Sequence, residues 1–160
     1  MRLLLVCVGR SKAGPERDLA GRYIERAAAA GRATGFSAVE LREAAESRAA
    51  RPDDRKREEA IAIRGLLPPR AAVIALDENG KQMTSRGLAA ELGRARDAAN
   101  ATTAFVIGGP DGLEKAFVAS ASLTLGLGMM TWPHQLARIM AAEQIYRAMT
   151  ILSGHPYHRG

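Results

Sequence analysis

Cysteine and aromatic residues are scarce in this sequence of 160 residues, and both shortages narrow the possible classes of protein. Cys7 is the single cysteine, which excludes an intrachain disulfide framework and favours a reducing compartment. Aromatic residues make up 4% of the chain, so a core must be built mainly from aliphatic side chains and methionine. Because Cys7 lies inside the apolar run 3–8, we expect a buried core residue there and not a nucleophile.

Long apolar runs are also missing. No run approaches the roughly 20 residues that a transmembrane helix needs, and the apolar run 3–8 is too short for a signal peptide with a cleavage site. We therefore expect a cytoplasmic protein with no membrane partner. His155 and His158 have no cysteine or acidic residue nearby in the sequence, so no metal site is expected.

Positive charge is in excess, with a formal net charge of +6. Lysine and arginine on a surface gain affinity for a polyanion by releasing the counterions condensed on its phosphates. The excess thus favours a polyanionic partner, but a basic surface that serves only solubility has the same composition. The length suits one domain with a single core.

Five short runs rich in valine, isoleucine and leucine alternate with segments of helical periodicity. Such alternation predicts a single α/β domain with a mostly parallel sheet. The runs cover residues 3–8, 36–41, 71–76, 103–107 and 122–130. The helices are expected to begin at Pro15, Pro52, Thr84 or Ser85, Pro110 and Pro133.

Loops that follow the strands are the first places to look for a ligand site in such a sheet. The paired glycines at 108 and 109 would let a ligand approach the backbone closely. The segment 126–132 combines two glycines with methionines and a tryptophan, which suits an adenine ring, although a core strand with a bulge fits equally well. Residues 77–78 could bind a ribose hydroxyl or face water. The loop 9–14 lacks the spacing of a phosphate-binding loop and is interpreted as a flexible surface turn.

The C-terminal tail, residues 155–160, combines an aromatic ring, imidazoles and a guanidinium group. This mixture suits stacking on bases and pairing with phosphates. A frayed terminus is the alternative, and the residues alone do not decide between the two.

Four segments, taken together, resemble one family. They are Ile-Gly-Gly-Pro-Asp-Gly at 107–112, Thr-Trp-Pro-His-Gln-Leu-Ala-Arg at 131–138, Glu-Gln-Ile-Tyr-Arg-Ala at 143–148 and His-Pro-Tyr-His-Arg at 155–159. In this order they are similar to the bacterial large-subunit rRNA pseudouridine N3-methyltransferases of the SPOUT superfamily. The likeness covers the whole chain, including the opening strand and residues 76–81.

The resemblance implies a trefoil knot in the C-terminal half of a single domain that spans residues 1–160. A knotted, cofactor-binding part would cover about residues 70–154, and the tail 155–160 would face RNA. The resemblance also implies a homodimer and the cofactor S-adenosyl-L-methionine. The cofactor residues that it implies are Leu76, Gly108, Leu127, Gly128, Met129, Met130, Thr131 and Trp132.

Catalysis by the same resemblance falls to the tail residues Tyr157, His158 and Arg159, acting on 23S rRNA in the ribosome. His158 could accept the N3 proton and Arg159 could stabilise the developing anion; the sequence does not decide between these roles. The residues expected to place the RNA are His134, Arg138 and Arg147.

Three residues depart from the family pattern. Asp111 replaces the usual glutamate at an expected helix start, where either acid suits the dipole. Gly128 and Trp132 stand where a small polar and a lighter apolar residue are expected, which affects the details of the adenine pocket. Two alternatives are a non-catalytic ribosome-binding protein with this fold and a flavodoxin-like nucleotide-binding module. The second would need a phosphate loop after the first strand, which the loop 9–14 does not match.

Overall fold

Five parallel strands form the central sheet of the computed structural model, which describes residues 1–158. The strands are β1 (Arg2–Val8), β2 (Ala38–Ala44), β3 (Ala72–Gln82), β4 (Thr102–Ile107) and β5 (Leu123–Gly126). The helices are α1 (Pro15–Arg32), α2 (Pro52–Leu66), α3 (Ser85–Asp97), α4 (Lys115–Ala119) and α5 (His134–Leu152), followed by a 3-10 turn at Pro156–His158.

The strand order across the sheet is β2-β1-β4-β3-β5, and every neighbouring pair is parallel. The central strand β4 is buried along its whole length, and β1 is buried from Leu3 to Val8. Continuous burial explains why residues 3–8 and 104–107 are apolar at every position instead of alternating with polar residues. The prediction of an α/β domain with a parallel sheet is confirmed.

Helices cover both faces of the sheet. Leu3, Leu5 and Cys7 of β1 pack into one apolar cluster with α1, α3 and α5, whereas Leu4 and Val6 join α2 and α4 in a second cluster on the opposite face. Burial raises the pKa of Cys7 to about 12, so this thiol remains protonated at neutral pH. Cys7 is the buried core residue that the sequence predicts.

Several boundaries differ from the sequence prediction. β2 covers Ala38–Ala44 instead of 36–41, and β3 extends to Gln82, six residues beyond the predicted end. Pro110 does not open a helix: residues 109–112 form a tight turn in which Gly112 N donates to Gly109 O at 2.9 Å, and α4 begins only at Lys115. The turn is stabilised by a left-handed Gly112 with φ +82°. β5 ends at Gly126, four residues before the predicted end of that apolar run.

The edge where β3 meets β5 is held by direct contact between two backbones. The pairing shifts register between Leu76 and Lys81, and a Cβ added to Gly80 would lie 2.6 Å from Gly126 N. Only glycine permits this approach. The trefoil knot expected in this half of the chain stays a prediction. Among residues 1–158, no helix is long and apolar enough to cross a membrane.

Candidate active site

A cleft of about 400 Å³ lies beside the ends of β3 and β5. Its walls come from α1, α3 and α5, so three helices and two strand ends converge on one space. Its apolar lining includes Leu19, Leu88, Leu125, Leu127, Ile139 and Met140. Its polar lining includes Tyr23, Gln82, Thr84, Ser85, Glu143 and Gln144. This mixture of flat apolar surface and a few polar groups is typical of a small-molecule site.

The loop after β5 divides the predicted cofactor residues into two groups. Leu127 and Gly128 line the cleft, whereas the side chains of residues 129–132 project to the surface, with Met129 93% exposed. Trp132 Nε1 donates to Leu127 O at 3.2 Å, which ties the exposed segment back to the cleft. Leu76 lies in β3, paired with Leu125 of β5. Leu125 lines the cleft, and Leu76 does not.

Gly128, one of the residues that depart from the family pattern, has a backbone conformation that favours glycine. Its φ is +105°, which an L side chain rarely adopts, while a Cβ at this position would meet no atom within 4 Å. Backbone conformation, and not lack of space in the monomer, therefore accounts for glycine at the cleft wall.

Gly108 is buried in the turn that follows β4, outside the lining of the cleft. A Cβ on this residue would lie 2.6 Å from Gly112 C and 2.8 Å from Leu113 N. The turn itself thus requires glycine at position 108, whether or not a ligand approaches this backbone. Its assignment to the cofactor stays a prediction.

The tail is anchored against α5 as far as the structure describes it. Tyr157 Oη donates to Glu143 Oε1 at 3.1 Å, and the Tyr157 ring lies 4.6 Å from the Tyr146 ring between centroids. The Arg147 guanidinium carbon lies 5.0 Å from the centroid of the Tyr157 ring. These contacts argue against a frayed tail up to His158. Arg159, the third predicted catalytic residue, lies outside the described residues.

Glu143 joins the cleft to the tail. Its Oε1 accepts hydrogen bonds from Arg147 Nη2 at 2.6 Å and Nε at 2.9 Å, in addition to that from Tyr157. Burial, hydrogen bonding to Tyr23 and the Glu143 charge raise the pKa of Tyr157 to about 12, so its hydroxyl stays a donor at neutral pH. Arg147, predicted to place RNA, pairs with Glu143 and keeps 29% of its side chain exposed, so its contact with RNA stays a prediction.

Arg138 and His134, also predicted to contact RNA, face inward beside the end of β1. Arg138 is 1% exposed; its Nη1 donates to Glu43 Oε1 at 2.6 Å and its Nη2 to Gly9 O at 2.8 Å. Burial and the Arg138 charge lower the pKa of His134, whose Nε2 is also buried. The burial of Arg138 corrects the expected RNA contact, since its guanidinium is already used within the fold.

The loop 9–14, expected to be a flexible turn, is fixed by the same cluster. Ser11 N donates to Glu43 Oε1 at 2.8 Å, Ser11 Oγ contacts Gln135 Oε1 at 2.8 Å, and Arg138 Nη1 also contacts Ser11 Oγ. The loop therefore connects β1 and β2 to the first turn of α5.

Sequence reasoning missed Gln82 and Glu143 as site residues. Glu143 had one available signal: it lies four residues before Arg147, the spacing of an ion pair along a helix. Gln82 had none, because its place beside the cleft depends on the register shift in β3.

The comparisons with known proteins agree with this fold. A family model described as "Predicted SPOUT methyltransferase" matches residues 1–158. The chain is 60% identical over 159 residues to ribosomal RNA large subunit methyltransferase H of Beijerinckia indica, covering 99% of both chains. The protein of the same name from Methylocella silvestris is 58% identical over 159 residues, again covering 99% of both.

Among solved structures, a probable methylase family protein from Haemophilus influenzae Rd KW20 superposes with a TM-score of 0.51. The match covers 99% of this chain and 70% of that one at 13% identity, which shows a shared fold. The fold and the match of the family model define an α/β methyltransferase. The chain belongs to the SPOUT methyltransferase family, which confirms the resemblance read from the four sequence segments.

Proposed function

We propose that this enzyme transfers a methyl group from S-adenosyl-L-methionine to N3 of a pseudouridine in 23S rRNA, acting on assembled ribosomes in the cytoplasm. The observation that carries the proposal is the double role of Glu143, which lines the cleft and holds Tyr157 of the tail. The names of the two relatives and the net charge of +6 support an RNA substrate.

The cleft has the chemistry that this cofactor needs. Leucine, isoleucine and methionine side chains offer apolar walls to an adenine ring, and Gly126 and Gly128 bring backbone without a side chain to the cleft wall. Glu143 and Gln144 would offer polar groups to the charged end of the cofactor, and the amide of Gln82 would suit a ribose hydroxyl. Residues of about 70–154 would form this cofactor-binding part.

When bound, S-adenosyl-L-methionine supplies a methyl group already activated on a sulfonium, so the chain's own residues have to position the acceptor and remove its proton. A uracil-type N3 carries a proton, and His158 is the residue that we assign to accept it. Tyr157, held as a donor by Glu143, fixes the direction of the tail. Arg159 is assigned to the negative charge that develops on the flanking carbonyl oxygens.

A homodimer belongs to the same proposal. Met129, Met130, Trp132 and Leu136 are exposed large hydrophobic residues within eight positions of one another, at the loop after β5 and the start of α5. Such a group marks an interaction surface on a small protein. It adjoins the cleft through Leu127, so a second subunit would cover the site.

The test is methylation of ribosomes with isotope-labelled cofactor, followed by mass spectrometry of the modified nucleotide. We expect label on N3 of one pseudouridine of large-subunit rRNA, and more label with assembled ribosomes than with protein-free rRNA. Glu143→Gln should lower the rate, whereas Glu91→Gln, in the surface ion pair of α3 with Arg94, serves as the matched control. Ribosome binding without transfer would favour the non-catalytic alternative.

A further inference from the structure

The side chain of Arg55 connects helix α2 to the turn 109–112 through hydrogen bonds with Asp111. Arg55 Nε donates to Asp111 Oδ2 at 2.6 Å and Arg55 Nη2 donates to Asp111 Oδ1 at 3.0 Å. The remaining nitrogen, Nη1, donates to Ala49 O and Ala50 O, both at 3.0 Å. A guanidinium fixed at both ends holds its carboxylate partner in one orientation. This contact also gives Asp111 a function other than the helix start expected from the sequence.

Glu59 lies one helical turn after Arg55 on α2, and its carboxylate packs against Gly109 of the loop turn 109–112. It is 3% exposed; its Oε1 accepts from Ser47 N at 3.1 Å, and its Oε2 would lie 2.9 Å from a Cβ on Gly109. That Oε2 is buried and has no hydrogen-bond partner among residues 1–158. Burial raises the pKa of the Glu59 carboxyl, with the charges of Glu46 and Asp111 acting in the same direction. The unpaired carboxylate oxygen of Glu59 is thus buried, at a cost in folding free energy, where it contacts the turn at Gly109.

The turn 108–112 has little conformational freedom, because its residues pack closely against one another. Gly108 lies against Gly112 and Leu113, so a displacement of Asp111 or Gly109 is passed to Gly108 and to the end of β4. We propose that Arg55 and Glu59 are positioning residues that set the turn 108–112 for binding of S-adenosyl-L-methionine. This inference rests on the proposed function and on the assignment of Gly108 to the cofactor, which the sequence resemblance implies.

The experiment is calorimetric titration of S-adenosyl-L-methionine into the purified full-length protein and its variants. Arg55→Ala should weaken the affinity about tenfold, as expected for loss of a charge-assisted bidentate pair. The exchanged pair Arg55→Asp with Asp111→Arg should recover most of that loss. Arg57→Ala is the matched control, because Arg57 pairs with Asp54 on the same helix at 3.1 Å and should leave the affinity unchanged.

Glu59 is tested by a pair of variants that differ in volume. Glu59→Gln keeps the shape beneath Gly109 and should bind the cofactor within about threefold of the wild type, whereas Glu59→Ala should bind about tenfold more weakly. Single-turnover methyl transfer at saturating cofactor should stay near the wild-type rate in all folded variants. If Arg55 and Glu59 served only to stabilise the fold, their loss would not lower cofactor affinity while leaving this rate unchanged.

The outcomes separate the two proposals. A wild-type protein that does not bind S-adenosyl-L-methionine would overturn the proposed function and this inference with it. Tight binding by the wild type and equally tight binding by folded Arg55→Ala would overturn the inference alone. Arg55→Lys keeps the charge without the paired hydrogen bonds; if Arg55→Ala does not fold, wild-type affinity in Arg55→Lys has the same meaning.

Discussion

The glycines of this chain differ in how much space a Cβ atom would have, and Gly80 and Gly21 are two extremes. A Cβ on Gly80 would lie within 3 Å of backbone atoms of β5, which cannot move without breaking the strand. A Cβ on Gly21, inside α1, would meet nothing within 4 Å. The sequence alone gives no measure of the space around either glycine.

Gly80→Ala should therefore lower the free energy of unfolding by more than about 3 kcal/mol, the scale of severe overpacking in a core. Gly21→Ala is the control: alanine is favoured in a helix interior by about 1 kcal/mol, so this variant should be unchanged or more stable. Urea unfolding followed by circular dichroism measures both. Equal stability of the two variants would show that the β3–β5 contact adjusts easily.

Arg138 lies at the centre of a buried ion pair with Glu43, and Arg138→Met should cost about 2 kcal/mol of folding free energy at pH 7. The estimate is below that for a fully buried pair because 28% of the Glu43 side chain is exposed. Arg26→Met is a matched control, since Arg26 is exposed on α1 and is not among the charges that act on Glu43. Urea unfolding of both variants gives the difference directly.

The same pair predicts a pH dependence. Burial alone would raise the pKa of Glu43, but hydrogen bonds from Ser11 N and Arg138 outweigh it and hold the pKa below the ordinary value of 4.5. A lowered carboxyl pKa contributes stability that is fully present above 4.5 and is lost as the pH falls through the folded-state pKa. The stability gap between the wild type and Arg138→Met should narrow below pH 4.5. A gap that stays constant there would contradict the role of the Glu43 charge.

At the scale of elements, hydrophobic runs and proline positions predicted most of the fold. Helix α1 begins at Pro15 and α2 at Pro52, and Thr84 accepts a hydrogen bond from Gly87 N as the cap of α3. The start of α4 was wrong because proline followed by an acid opens tight turns as readily as helices. Left-handed Gly112 and the pairing of Asp111 with Arg55 decide for the turn, and neither is a local signal.

The candidate site was predictable only where it is local in sequence. The loop at Leu127 and Gly128 and the tail at Tyr157 follow from their own residue types. Gln82 and Glu143 reach the site through the shifted register of β3 and the packing of α5, which depend on the whole fold. The buried state of Arg138 was missed for the same reason: its partner Glu43 lies 95 positions away.

Removal of the tail residues 157–160 should reduce methyl transfer by at least about a hundredfold, the usual cost of losing a general base or an electrostatic stabiliser. Cofactor affinity should stay largely intact, because the cleft lining comes from α1, α3, α5 and the strand ends. Tyr157→Phe, which keeps the ring on Tyr146 but loses the hydrogen bond to Glu143, should have an intermediate rate. A truncated enzyme with the normal single-turnover rate would refute the catalytic assignment of the tail.

At the scale of the whole molecule, the distribution of exposed apolar side chains is uneven. Met129, Met130, Trp132 and Leu136 are grouped beside the cleft, whereas Ile61, 69% exposed, lies on α2 at the opposite face of the sheet. A chain of 17.1 kDa offers little surface to bind a large RNA, so a second copy over the grouped residues would enlarge it. Residues 129–136 thus provide the surface on which dimer formation is tested, and Ile61 provides a control surface in the same molecule.

We expect the wild type to be a dimer at micromolar concentration by light scattering and sedimentation velocity. Leu136→Asp should shift it to monomer, because burying a charge in an apolar interface costs several kcal/mol. Ile61→Asp adds the same charge on the opposite face and should leave the dimer intact. Helical content should be unchanged in both, since both side chains are exposed in the monomer. A wild type that stays monomeric, or a dimer that breaks with Ile61→Asp and not with Leu136→Asp, would place the interface elsewhere or remove it.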